Sequence, residues 1–212
     1  MKIPINNIIQ FVSHQCNKYN IDETHSLNHA LCVLSYSHKI LTNEIPIYPQ
    51  LSTQSHIIYT SALLHDTCDS KYSDEYQSLH EIKEFLHTNQ YTNLDSNIIV
   101  DIITQMSYHK IKKHGFPNLD NYTNAFHIVR EADLLAGYDF NRALLYGINK
   151  LDLNYISSFH RSKQLFDERM DKHISDNLFT TQYANNVAQM ICDNEKLNIF
   201  EIEEIINKCS NL

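Results

Sequence analysis

Apolar residues recur along most of the chain at intervals of three and four, as in Ile5, Ile8, Ile9, Val12 and Cys16. The series His25, His29, Val33, Tyr36 and Ile40 repeats the spacing. One face of an α-helix has that period, whereas the period of two expected of a half-buried strand between Asn-Gly or Asp-Gly turns is absent. The pattern predicts helices near 4–19, 25–42, 53–65, 73–89, 94–107, 122–136, 138–149, 155–175 and 180–207. Thr42–Ser52, with Pro46 and Pro49, and Lys112–Tyr122, with Gly115 and Pro117, read as loops. Only three glycines and four prolines occur, and so few helix breakers favour long helices. An all-α fold is expected. No repeat, low-complexity tract or linker interrupts the 212 residues, so one domain is expected, since single cores stop growing only near ~250–300 residues.

Composition narrows the partners. The chain is 42% hydrophobic and 20% charged, as a globular protein is. Its formal charge is -8, and its longest basic cluster is Lys110 to Lys113, so the electrostatic footprint of a duplex-binding protein is missing. A small ligand is expected in place of nucleic acid. An anionic one stays open, because a bound cation can dominate the local field. The five cysteines are odd in number and form no CxxC pair, which argues against a disulfide framework or zinc knuckle and for a reducing, cytoplasmic compartment. With no basic segment leading into an apolar run at the N-terminus, and no eighteen apolar residues together, neither secretion nor a membrane span is expected.

Candidate chemistry concentrates in Ser61-Ala-Leu-Leu-His65-Asp66-Thr-Cys-Asp69-Ser-Lys71-Tyr72, at the end of an apolar helix. In a chain with thirteen histidines a single His-Asp pair is no more than chance. Its context adds weight: Thr24-His25-Ser-Leu-Asn-His29-Ala-Leu-Cys-Val33 lies upstream and Val129-Arg130-Glu131-Ala132-Asp133-Leu134-Leu135-Ala136 downstream. Together these stretches resemble the HD-domain superfamily, whose members are all-α and mostly metal-dependent phosphohydrolases. The resemblance implies a single-domain helical bundle with one divalent ion on His29, His65, Asp66 and Asp133. It is closer to a branch in which His-Asp is followed by an acid and a lysine, as Asp69 and Lys71 follow here. Leu165-Phe-Asp-Glu-Arg169-Met170 and Asp176-Asn-Leu-Phe179-Thr180-Thr181 look like that branch's C-terminal helices, so the likeness covers about residues 20–190, with a last helix to about 207.

The residues support that chemistry in their own right. Two imidazoles and two carboxylates form a mixed N/O donor set for Mn, Co, Ni, Fe, Zn or Mg, and no thiolate is implied. His25, four residues before His29, shares its helical face and is a candidate phosphate contact or an ordinary hydrogen-bonded histidine. Asp69, four residues after His65, faces the same cavity if the helix continues one turn; it is then the general base, and otherwise a turn aspartate. Lys71 is a candidate phosphate contact, assisting catalysis, or a solvated lysine. Arg130, three before Asp133 on the same helical face, binds phosphate or holds the ligand carboxylate, or else forms an ordinary structural ion pair. His80, His87, His109, His114 and His127 show no spacing of a second metal site and read as surface or packing residues. The expected function is hydrolysis of a small phosphorylated substrate, a nucleotide above all, by attack of a metal-activated water. A non-catalytic HD module and an HD-fold iron oxygenase are the alternatives. Asp69 followed by Ser70 departs from the paired acids of alarmone hydrolases, and no Gly-rich phosphate loop occurs.

Overall fold

The computed structural model describes residues 3–22 and 25–210. Thr24, in the upstream histidine motif, lies outside the described residues. Among the described residues the chain is all-α, with ten α-helices and no strand. Where length suggested one domain, contacts gather in two compact units, Met1–Ala136 and Gly137–Leu212, and each is described by itself.

The first unit holds α1 (Ile5–Lys18), α2 (Leu27–Glu44), α3 (Ser55–Leu64), α4 (Glu75–Thr88), α5 (Asn93–Gln105), α6 (Tyr108–His114) and α7 (Thr123–Ala136). Its centre is α3, SHIIYTSALL, which has almost no polar face. A helix apolar all round has to be enclosed, and α3 packs against α1, α2, α5 and α7. Ile57, Ile58, Ala62, Leu63 and Leu64 are buried, and the buried Thr60 hydroxyl meets Tyr91 Oη at 2.6 Å. The closing turn of α3 is therefore set deep in the core, with His65 immediately after it.

Side-chain oxygens start the outer helices. Asp74, Thr92 and Ser107 accept from the backbone N–H of Gln77, Asp95 and Lys110 at the starts of α4, α5 and α6. The structure departs from the sequence expectation at the two loops. The first is shorter than expected, because α2 runs to Glu44 and Pro49 opens a 3-10 turn, Pro49–Gln54, that leads into α3. The second begins later, because Ser107 caps α6 and the helix ends at Gly115, whose φ of 76° suits a residue without a Cβ.

The second unit holds α8 (Phe140–Asn149), α9 (Tyr155–Ser175) and α10 (Gln182–Ser210). Phe140 and Phe159 pack edge to face with centroids 5.6 Å apart. Gly147 lets α8 approach α9: a Cβ there would stand 2.1 Å from Ser158 Oγ, which is buried and donates to Leu144 O at 2.7 Å. Gly147→Ala is expected to cost about 1–3 kcal/mol by overpacking. Denaturant unfolding measures it, and Ser158→Gly in the same chain should recover most of the loss. Among the described residues no helix is long and apolar enough to cross a membrane.

Candidate metal centre

Three helices of the first unit bring the chemistry together. His29 stands on the first turn of α2, His65 and Asp66 in the turn after α3, and Asp133 on the last turn of α7. The donor atoms of His29, His65 and Asp133 all lie within 4.8 Å of one another. The two imidazole Nε2 atoms are 3.3 Å apart. Asp133 Oδ1 is 3.0 Å from His29 Nε2 and 3.6 Å from His65 Nε2. Asp66 Oδ2 is 3.1 Å from His65 Nε2 and 3.5 Å from His29 Nε2. The side chains of His29 and His65 are only 3% and 2% exposed, against 19% for Asp66 and 34% for Asp133, so the cluster opens on its carboxylate side.

The orientation of His65 is fixed. Its Nδ1 lies 2.9 Å from Ala62 O, and a carbonyl only accepts, so Nδ1 carries a proton and Nε2 is the nitrogen turned into the cluster. Asp66 Oδ2 is buried and makes no hydrogen bond of acceptable geometry. Two imidazole nitrogens and two carboxylates thus converge on one point. Burial by itself would lower the pKa of His65, yet the Asp66 and Asp133 carboxylates raise it well above 6.5. Asp133 is held well below the usual carboxylate range, burial being outweighed by hydrogen bonds to His29 and His65. The cluster calls for a positive charge, and its donor set fits a divalent cation.

No family model, curated protein or solved structure matches this chain.

The other expected residues fall in different places. Asp69 does not lie on a continued helix, because α3 stops at Leu64 and the chain turns; its Oδ1 accepts from the Lys71 N–H at 2.9 Å, as a turn aspartate does. His25 is beside the cluster, its ring 6.4 Å from that of His29. Lys71 reaches the same region, its Nζ 2.9 Å from Tyr72 Oη and 3.6 Å from Asp22 Oδ2. Arg130 does not face a substrate. It is 1% exposed, donates from Nη2 to Glu131 Oε1 at 3.0 Å and His127 Nδ1 at 3.2 Å, and lies over the Phe116 ring at 4.7 Å. Burial lowers its pKa to about 10 against the opposing pull of Glu131 and Asp133, which ties its charge to the cluster electrostatically. His127 is buried in the same pair, and burial and Arg130 push its pKa down to about 4. His80, His87, His109 and His114 are exposed.

Sequence reasoning missed Asp22 and Tyr72. Tyr72 Oη donates to Asp22 Oδ2 and lies 2.9 Å from His25 Nδ1. The spacing of three between Asp22 and His25 was the one available signal, while Tyr72 lies 50 residues from Asp22.

Cys68, two residues past Asp66, is no thiolate donor: burial, with Glu75 and Asp66 adding to it, pushes its pKa up to about 12. Iodoacetamide at pH 8 is therefore expected to modify the exposed Cys32 and Cys209 and to spare Cys68 and the buried Cys192 until the chain is denatured. Peptide mapping by mass spectrometry reads the pattern, and labelling of folded Cys68 at the rate of Cys209 would contradict it.

Proposed function

We propose that this protein is a metal-dependent phosphohydrolase of the HD type. In this reading His29, His65, Asp66 and Asp133 hold one divalent ion, and the substrate is a small phosphorylated molecule, a nucleotide by resemblance. One observation carries the reading: two imidazole Nε2 atoms 3.3 Å apart, one oriented by a backbone carbonyl, converge with two carboxylate oxygens at an opening in the first unit. The ion, when bound, would act as a Lewis acid towards a phosphoryl oxygen and lower the pKa of a water molecule.

The remaining work falls to the chain. The buried face of the two imidazoles excludes water from behind the cluster, and the partly exposed carboxylates leave the approach for phosphate on the other side. Lys71, held at the rim, supplies a mobile positive charge to a phosphate oxygen. His25, which the structure leaves just before the start of α2 with its ring 6.4 Å from that of His29, is the second phosphate contact. Asp69, whose Oδ1 is taken by the Lys71 amide, has the part of a turn aspartate that shapes the segment carrying Lys71. Arg130 acts from inside, balancing Glu131 and favouring the ionised form of Asp133.

The test is a panel of nucleoside monophosphates, triphosphates and cyclic nucleotides, with an aryl phosphate ester, offered with Mn, Co, Ni, Fe, Zn and Mg. Release of phosphate or pyrophosphate that requires metal supports the proposal. A chain that binds metal but turns over none of the panel is better read as a non-catalytic module.

A further inference from the structure

Beside the proposed metal cluster lies a hydrogen-bonded group that joins the two proposed phosphate contacts, Lys71 and His25, to Asp22 and Tyr72, which have no role so far. It joins two segments of the first unit: Asp22 and His25, before α2, and Lys71 and Tyr72, between α3 and α4. Its hub is the Tyr72 hydroxyl, which meets Asp22 Oδ2, His25 Nδ1 at 2.9 Å and Lys71 Nζ at 2.9 Å. A phenol has one proton to give and two lone pairs to accept with. The proton goes to Asp22, whose carboxylate only accepts. Lys71, an ammonium, only donates. The third partner must then donate as well, so His25 carries a proton on Nδ1. The Lys71 ammonium also lies 4.8 Å from the Tyr72 ring centroid and 3.6 Å from Asp22 Oδ2, which restrains a side chain that otherwise loses much entropy on ordering.

We propose that Tyr72, its hydroxyl proton given to the buried Asp22, is a positioning residue that holds the Lys71 ammonium and the His25 ring towards a phosphate group bound beside the His29, His65, Asp66 and Asp133 cluster. The inference rests on the phosphohydrolase reading and deepens it, for it names what aims the two phosphate contacts. A lysine free to rotate would meet a bound anion only part of the time. One pinned by a hydroxyl and a carboxylate is already in place when the anion arrives, and the ordering cost is met in folding.

The test uses the full chain, inorganic phosphate as probe and no turnover. Metal content is measured by elemental analysis and phosphate affinity by calorimetry for the parent, Tyr72→Phe, Lys71→Ala and the double variant. Phenylalanine keeps the ring and its contact with Lys71 and removes the hydroxyl alone. Tyr72→Phe is expected to keep its metal and weaken phosphate binding about tenfold, as for one hydrogen bond to a charged group. In the Lys71→Ala background the same change should matter less than about twofold, because partners in one network are not additive. The ring ¹⁵N shifts of His25 supply a spectroscopic readout: the Nδ1 signal should move in Tyr72→Phe, because the hydroxyl 2.9 Å from it is gone while Asp22 Oδ1, at 3.4 Å, remains. Phosphate bound as tightly by Tyr72→Phe as by the parent, with the His25 ring shifts unchanged, overturns this inference alone. A parent that takes up no metal yet binds phosphate sinks the ligand assignment and leaves Tyr72's role standing; a parent that binds no phosphate overturns both.

Discussion

Asp66→Ala is expected to purify without the divalent ion proposed for the parent, to keep its helical circular dichroism, and to show no metal-dependent phosphate release. Asp66 Oδ2 stands 3.1 and 3.5 Å from the two imidazole nitrogens and has no hydrogen bond of its own, so its loss removes a donor and one of two balancing charges. The residue lies in the turn after α3, outside the helix, which is why secondary structure should survive. Elemental analysis decides the point: metal retained at the parent's stoichiometry would remove Asp66 from the ligand set. A proton competes for the same place. Without metal the carboxylates raise the pKa of His65, so its proton stays on as pH rises past 6.5, and its contribution to stability, complete below that value, is lost only as pH passes the raised one. Metal uptake near neutral pH is accordingly expected to release protons, and apparent affinity to weaken as the solution is made more acid.

The second large effect is on folding. Glu131 and Arg130 are 0% and 1% exposed, and they pair with each other in the body of α7. Glu131→Ala would leave the guanidinium in the core with Nε and Nη1 already lacking hydrogen-bond partners. Removing one partner of a buried pair costs about 3–5 kcal/mol, much of it the cost of the charge left behind. A fall in Tm on the order of 10 °C should follow for a chain of this size. Arg130→Met combined with Glu131→Leu should restore most of it, since the pair replaced by apolar side chains leaves no orphan charge. A Glu131→Ala protein that melts with the parent would mean that water or another side chain reaches Arg130.

The helices were legible because their apolar spacing is strong, and α1, α5 and α9 start and stop close to where that spacing places them. The second loop was misjudged because Gly115 and Pro117 outweigh the less conspicuous cap at Ser107, which commits residues 108–114 to α6. Arg130 was ambiguous for a different reason: from Ala125 to Ala132 every position of α7 is buried, polar or not, and no periodicity distinguishes a buried arginine from one at an opening. The His and Asp residues were found from their order along the chain, and the structure brings them to one point. Asp22 and Tyr72 were not found, because a hydroxyl bridging two segments 50 residues apart leaves no spacing to read.

The cluster has a topological side as well. His29 lies 36 residues from His65 and 104 from Asp133, so an ion gripping all three would knot the chain into closed loops. Closing loops of that length in the unfolded ensemble removes much of its freedom, as a covalent cross-link would. Stripping the ion with a chelator would then slacken the first unit well beyond its ligands, and amide hydrogens in α4 and α5, which contribute no donor to the cluster, would exchange faster.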